Sequence, residues 1–439
     1  MNRRDFTAAV MSGVALGGLR PHPRGTAGAP LRIDDARLIE TFDALRAFGA
    51  TPAGGVERLA YGDADLAGRG YLMERMRAAG LAVRIDAAGN IVGRRAGARD
   101  DLPPIMMGSH IDSVPDAGAY DGNVGSVSAL EAVWSLADAG VATAHPIEVV
   151  IFQNEEGGLY GSEAMAGSLA PSELDRTALS GFTLRDGIAR IGGDPGRLAE
   201  AVRPPGSIHA YLELHVEQGG ILDATGDRIG VVEGIVGIEQ WDVTVTGSAN
   251  HAGTTPMDRR RDALLAAARF VDAVHRVALS LPGRQVATVG QLAVEPGAPN
   301  VVPGRVALSL EIRDLDAEKI LLVFEHVQRE SQAIASATTT TFRFSSRELG
   351  IKPAPTDPRV RRAIRTAAHD LDLTTRDMPS GAGHDAQSFA RVCPIGMLFV
   401  PSVGGVSHSP REFTTQADMV HGANVLLNAA VSVDRLAFG

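Results

Sequence analysis

The sequence has a single cysteine, Cys393, among 439 residues. No intrachain disulfide can form, and no zinc site can be built on cysteine thiolates. Aromatic residues make up only 5% of the chain, too few for the stacking platforms that hold single-stranded bases. An excess of positive charge is also missing. The net charge is −10 and the pI about 5.7, which excludes nucleic acid or an anionic membrane surface as main partner and leaves room only for a local basic pocket. No apolar run is long enough to span a bilayer, so stable membrane insertion is not expected. There is no internal repeat, and no low-complexity tract beyond the first thirty residues and the run Thr338 to Thr341.

What is present is the composition of a soluble globular protein, 44% hydrophobic and 21% charged. The length exceeds one ordinary core, so two domains are expected. Any metal must sit on His, Asp and Glu. Residues 1–30 differ in character. Arg3-Arg4 and Phe6 precede a short run rich in Ala, Gly and Val, and then small residues. This is the pattern of a twin-arginine export signal, which implies a periplasmic or exported protein; the alternative is an unstructured tail on a cytoplasmic one.

Apolar spacing predicts helices over 34–48 and 63–80, the latter stopped by Gly80. The segment 81–97 alternates across an Ala-Gly-Asn turn and reads as a hairpin. PIMMGSH is a buried strand ending at His110, 122–139 a helix, and IEVVIFQNEE a central strand that runs into Glu155-Glu156. Strands alternating with helices predict an α/β sheet covered on both faces, with its site at the carboxyl ends of the strands. From about Gln240 the order becomes strand, helix (258–280), strand (285–296), strand, helix, strand, which is the ferredoxin-like split unit. Helix, strand and helix after residue 350 return to the first pattern. The expected organisation is a signal segment at 1–30, a catalytic domain in two parts (31–239 and 350–439), and an inserted α+β domain at 240–349.

The ionisable residues at predicted strand ends include His110, Asp112, Asp121, Glu155, Glu156, His215, Glu217, His384, Asp385 and His408. His145, His209, His275, His369 and His421 lie in helices, loops or strand starts and are read as surface or satisfied histidines. A pair of metal ions sharing one carboxylate needs a bridging Asp or Glu and further ligands on each side. His110, Asp121, Glu156, His215 and His408 offer that set, with nitrogen and oxygen donors suited to Zn²⁺, or to Mn²⁺, Co²⁺ or Ni²⁺. Adjacent residues at a strand end diverge, so one of Glu155-Glu156 can ligate while the other acts as a base. A solvated acidic pair is the plain alternative.

The motifs GSHIDSV, YDGNVG, QNEEG, LHVEQGG, NHAGTTPMDRRRDA, PNVVPG, LEIRD, SGAGHDA and GGVSHSPRE, in this order, resemble the amidase family of the hydantoinase/carbamoylase type. That family includes N-carbamoyl-L-amino-acid and allantoate amidohydrolases and is similar to dimetal aminoacylases and carboxypeptidases. The resemblance covers nearly the whole chain after residue 30. It implies one metal ion on His110, Asp121 and His215, and a second on Asp121, Glu156 and His408, with Asp121 bridging. It implies Glu155 as general base, and His251 as the oxyanion donor, reaching the site across a homodimer formed by the inserted domain. Arg313 would bind a substrate carboxylate bidentately, and Gln218 and Asn300 would make polar contacts to a small ureido or amide acid. Gly404 and Gly405 would let substrate approach the backbone. Asp112, two residues past His110, is placed to fix the His110 ring. His384-Asp385 lines the site without ligating.

Two features depart from the family pattern. Asp116 to Tyr120 replaces a glycine-richer run before the bridging Asp, and the export segment is unusual. The resemblance implies hydrolysis of an N-carbamoyl-L-amino acid or, alternatively, of allantoate. A peptidase or aminoacylase is disfavoured by His215 standing where those enzymes carry a carboxylate. A periplasmic binding protein for ureido acids would have no need of Glu155.

Overall fold

The computed structural model describes residues 29–347 and 350–438. Most of the export-like segment, residues 1–28, lies outside the described residues. The chain enters through α1 (Asp35–Arg46), capped by the Asp34 side chain, which accepts from the Arg37 N–H. Next come α2 (Asp63–Ala78) and the antiparallel hairpin of β1 (Ala82–Ile85) and β2 (Ile91–Arg95). β3 (Ile105–His110), α3 (Asn123–Asp138) and β4 (Ile147–Phe152) follow. Short helices α4 (Tyr160–Met165) and α5 (Leu184–Arg190) fill the stretch broken by Gly and Pro. Then come β5 (Ala210–Val216), α6 (Ile221–Thr225) and β6 (Ile229–Ile235).

A second unit, holding a five-stranded sheet and a separate two-stranded ribbon, is built from the next stretch. Its elements are β7 (Gly237–Thr246), β8 (Asn250–His251), α7 (Ala263–Ser280), β9 (Val286–Thr288), β10 (Leu292–Glu295), β11 (Val301–Val302), β12 (Arg305–Asp314), α8 (Ala317–Thr338) and β13 (Thr341–Ser346). The chain then returns through β14 (Ala354–Pro355), α9 (Pro358–Asp370), β15 (Thr375–Ser380), α10 (Asp385–Phe389), β16 (Ile395–Val400) and α11 (Gln416–Val433).

The first sheet has the order β1-β2-β4-β3-β5-β16-β6-β14, with β15 also pairing with β6. Its centre, β4-β3-β5-β16, is parallel and every residue in it is buried. Strands covered on both faces must be apolar throughout, which is why these read as continuous runs rather than alternations. α3, α9 and α11 cover one face. Met165 and Phe389, from α4 and α10, pack on the other with Phe152, Tyr211 and Phe399. α3 is rich in Gly, Ser and Ala and lies very close to the sheet. A methyl group on Gly125 would sit 2.0 Å from the Leu214 carbonyl oxygen.

The second sheet, β10-β12-β7-β13 with β9 beside β12, is antiparallel. β12 alternates: Val306, Leu308, Leu310 and Ile312 are buried against α7 and α8, while Glu311 and Arg313 share the opposite face. Replacing Leu310 by Ala would remove a fully buried side chain, at a cost of about 2–5 kcal/mol.

Several local expectations change. The helix expected from residue 258 starts at Ala263, because Asp262 caps it by accepting from the Leu264 and Leu265 N–H groups. The strand expected over 285–296 is broken into β9 and β10. β6 and β15 were not foreseen. β15 is a half-exposed strand carrying Pro379, a composition that reads as loop. No helix among the described residues is long and apolar enough to cross a membrane.

Candidate metal centre

The parallel strands β3, β4, β5 and β16 open their carboxyl ends on one side of the sheet, where α/β proteins gather functional groups. His110 ends β3, and His215 lies near the end of β5. Glu155 and Glu156 occupy the turn after β4. Asp121 precedes Gly122, whose φ of +63° turns the chain into α3. His408, in the loop after β16, holds a φ of +51°, a costly value for a residue with a side chain.

Asp121 is the centre of the arrangement. Its Oδ1 lies 3.1 Å from His215 Nε2 and 3.5 Å from His110 Nε2. Its Oδ2 lies 3.4 Å from His408 Nε2, which is 3.6 Å from Glu156 Oε2. The oxygens of one carboxylate therefore face separate donor groups. Within each group, His110/Asp121/His215 and Asp121/Glu156/His408, the donor atoms lie within 4.8 Å of one another. His110 and His215 present Nε2 because their other nitrogens are engaged. His110 Nδ1 donates to the Asp112 main-chain carbonyl at 3.0 Å, and His215 Nδ1 to the Val216 carbonyl at 2.9 Å. Carbonyls only accept, so both rings carry a proton on Nδ1 and turn Nε2 toward Asp121.

Electrostatics point the same way. Asp112, Asp121, Glu155, Glu213, Asp385 and Glu412 are all buried carboxyl groups, and a concentration of buried acids needs cations beside it. Burial alone would raise the Asp121 carboxyl, but the imidazoles of His215, His110 and His408 hold it well below the ordinary range. Burial lifts Glu155 well above an ordinary glutamate, with help from Asp385, Glu156 and Asp121. Burial and the nearby Asp121 push Glu156 up to about 7. The hydrogen bond to Asp121 raises His408 to about 9. Glu156 Oε1 is buried without a partner. An orphaned carboxylate oxygen, three imidazole nitrogens and a shared carboxylate fit a pair of divalent cations with nitrogen and oxygen preferences.

The residues around the cluster modify the sequence reading. Asp112 does fix the His110 ring, but through its backbone carbonyl. Its carboxylate, 3.7 Å from His110 Nδ1, instead accepts the Glu155 N–H at 3.1 Å and the Glu156 N–H at 3.2 Å. Gln218 sits against the Asp121 carboxylate, its Nε2 donating to Oδ2 at 2.7 Å. Gly405 has a packing reason of its own, since a methyl there would lie 2.7 Å from the Gly220 nitrogen. A methyl on Gly404 would meet only the Val406 side chain, at 3.9 Å.

Two buried acids were missed by the sequence reading. Glu213 shares a strand face with His215 and accepts from Ser109 Oγ, the Ala386 N–H and the Tyr211 hydroxyl. An acid two residues before a candidate ligand histidine, inside an apolar strand, was the available signal. Glu412 accepts the Asp121 N–H. The His384 ring lies tilted against that of His215, centroids 4.4 Å apart, and bonds Ser380 Oγ at 2.8 Å. Glu213, His215 and His384 also cluster, but the bonds just given already engage Glu213 and His384 Nε2, so this group forms a support behind His215.

The structure does not bring His251 and Asn300 to the cluster. They lie together on the β8–β11 ribbon, where the Ala252 N–H donates to the Asn300 carbonyl. His251 is exposed, and its Nδ1 accepts from the Gly253 and Thr254 N–H groups at 2.9 and 3.2 Å. Its Nε2 therefore carries the proton. Arg313 joins the two sheets, donating to the Gly381 carbonyl at 2.7 Å and to Glu311 at 2.7 Å.

The model of peptidase family M20/M25/M40 matches residues 106–432. The chain belongs to this family. The match takes in β3 to α11, and with them every residue of both donor groups. Among relatives in the family, the chain is 40% identical over 402 residues to an N-carbamoyl-L-amino acid amidohydrolase of Geobacillus stearothermophilus, covering 90% of this chain and 97% of that one. It is 33% identical to an allantoate amidohydrolase of Escherichia coli (strain K12), covering 89% and 95%. A solved amidase of the hydantoinase/carbamoylase family from Burkholderia multivorans superposes with a TM-score of 0.85 at 40% identity, covering 92% of this chain and 98% of that one.

Proposed function

We propose that the chain is a metal-dependent amidohydrolase that cleaves the ureido C–N bond of an N-carbamoyl-L-amino acid to give the amino acid, ammonia and carbon dioxide. The observation that carries this is Asp121, with one oxygen toward His110 and His215 and the other toward His408 beside Glu156. The relatives named above support the ureido substrate. His110, His215 and Asp121 would hold one divalent ion, and Asp121, Glu156 and His408 a second; zinc is the first choice, with manganese, cobalt or nickel as alternatives. A pair bound there supplies Lewis acidity and a water of lowered pKa.

The chain's own groups do the rest. Glu155, buried and held in its turn by Asp112, takes the proton of the attacking water and returns it to the leaving nitrogen. Arg313 holds the substrate carboxylate, exchanging its bond to Gly381 for a bidentate one. His251, fixed as the Nε2–H tautomer, donates to the developing oxyanion. Gln218, Asn300 and Gly404 contact the rest of the substrate. His251 lies on the β8–β11 ribbon of the inserted unit, so it reaches the metals either by closure of that unit or from the second subunit of a homodimer formed through it. The Arg3-Arg4 segment supports delivery to the periplasm.

The test is ammonia release by the purified chain on N-carbamoyl-L-amino acids, N-carbamoyl-β-alanine, allantoate, N-acyl-amino acids and dipeptides. Ammonia from a carbamoyl amino acid, abolished by a chelator and restored by Zn²⁺ or Mn²⁺, is the expected result. Ammonia from allantoate alone would move the assignment to the second named relative. Free amino acid without ammonia would place the chain among peptidases and aminoacylases.

A further inference from the structure

We propose that Glu412 is a positioning residue that locks the bridging Asp121 and the His408 loop into register, so that the Asp121/Glu156/His408 group depends on it. This rests on the reading of those three residues as one ligand group.

Glu412 is buried in the loop between β16 and α11 and has no place in the ligand set. Its Oε1 accepts the main-chain N–H groups of Tyr120 at 2.8 Å and Asp121 at 2.9 Å. Its Oε2 accepts from Ser407 Oγ at 2.8 Å, and that same hydroxyl lies 3.3 Å from Asp121 Oδ2. One carboxylate thus grips the backbone of the bridging ligand with one oxygen and the residue before His408 with the other. Bonds from backbone N–H to a buried carboxylate are charge-assisted and among the stronger ones.

A separate observation supports the same tie. The loop leading to Asp121 wraps Glu412 so closely that a methyl on Gly118 would lie 2.3 Å from Glu412 Cβ. The next side chains also meet, with the Tyr120 ring edge-on to Phe413 at 5.7 Å. His408 needs such a tie more than its partners do. Its side chain is 48% exposed, against 1% for His110 and His215, and its backbone sits at positive φ. Packing therefore does not hold it, whereas the bond from Ser407 to Glu412 does.

The experiment is zinc titration of the apo chain by calorimetry, comparing wild type with Glu412→Ala, Glu412→Gln and Ser407→Ala. His110→Ala and His408→Ala mark which binding step belongs to which group. Glu412→Ala should weaken the step that His408→Ala removes by about 10–100-fold, the usual effect of losing a group that orients a ligand. The step that His110→Ala removes should change by less than about threefold. Glu412→Gln keeps a carbonyl for both N–H groups and should retain most of the affinity. If Glu412→Ala does not fold, Ser407→Ala decides, since it cuts the tie to the His408 loop and leaves the Glu412 bonds to the Tyr120 and Asp121 N–H groups in place. Wild-type affinity for both ions in Glu412→Ala and Ser407→Ala would overturn the proposal, as would weakening confined to the His110 step. If instead His408→Ala titrates like wild type, the ligand assignment itself fails, and the proposal with it.

Discussion

Asp112→Asn separates two ways in which a residue next to a ligand histidine can act. If the carboxylate fixed the His110 ring, the substitution would loosen the ion on His110, Asp121 and His215. In the structure the ring is bonded to the Asp112 carbonyl, which the substitution leaves in place. What changes is the pair of bonds to the Glu155 and Glu156 N–H groups, at 3.1 and 3.2 Å. An amide oxygen can accept one of them, while the amide NH₂ then confronts the other donor. A charge-assisted pair worth about 1.5–3 kcal/mol per bond becomes one neutral bond of about 1 kcal/mol and one unpaired buried N–H costing about 1–3 kcal/mol. The strain falls on the turn that aims Glu155 and Glu156. A fall in kcat of about 10–100-fold takes only about 1.4–2.7 kcal/mol of it. The expected outcome is that fall in kcat, with weaker binding on the Glu156 side and an unchanged His110-side step in a zinc titration. Loss of the His110-side ion first, or a kcat within twofold of wild type, would refute the reasoning.

Gly122→Ala should do the reverse. Its new methyl would lie 2.5 Å from the His110 ring, on a residue held at φ +63°, so the His110-side ion should weaken and thermal unfolding should show a loss of about 1–2 kcal/mol from the backbone alone. Cys393, buried and pushed up to about 12 by that burial, should resist thiol reagents at pH 8 in the native chain and react at once in denaturant; rapid native labelling would contradict its placement. His209 stacks 3.8 Å from His145, and burial, with that neighbour, lowers its pKa. The unfolded chain then takes up a proton that the folded chain refuses. Stability should fall as pH drops below about 6.5, and His209→Gln should flatten that dependence in a melting series.

The parts of the site that were legible in the sequence are those attached to a local pattern. His110, His215 and Glu155-Glu156 each end or follow an apolar run, and such a run can only be a strand covered on both faces. The second sheet was legible because β12 alternates strictly and α7 buries one stripe. What could not be read is what depends on chain segments meeting from afar. Glu412 and the Asp121 N–H it accepts are 291 residues apart, and the Asp112 carboxylate finds its donors 43 and 44 residues away. No period or spacing marks such bonds, so Glu412 looked like one loop acid among many. Asp112 was assigned to the nearest histidine rather than to the turn across the sheet. β6 and β15 were missed for a different reason: glycines interrupt one, and charge and Pro379 the other, so neither shows the alternation that identifies a strand.

The two donor groups differ in how they are held, and this sets an order of metal loss. His110 and His215 lie on adjacent buried strands, with rings anchored by backbone carbonyls and side chains 1% exposed. Moving either means deforming the sheet. Glu156 and His408 come from loops, and His408 is 48% exposed at a strained backbone angle. A loop opens at far lower free energy than a core strand, so an ion bound on that side would have the faster exit even where equilibrium affinities are similar. Stepwise chelation, followed by metal content and activity, should therefore give a species retaining one ion per chain with little activity. His408→Ala should hold the same single ion from the start. Release of both ions in one step, or a residual ion that survives His110→Ala and not His408→Ala, would show that the sheet does not hold the tighter site.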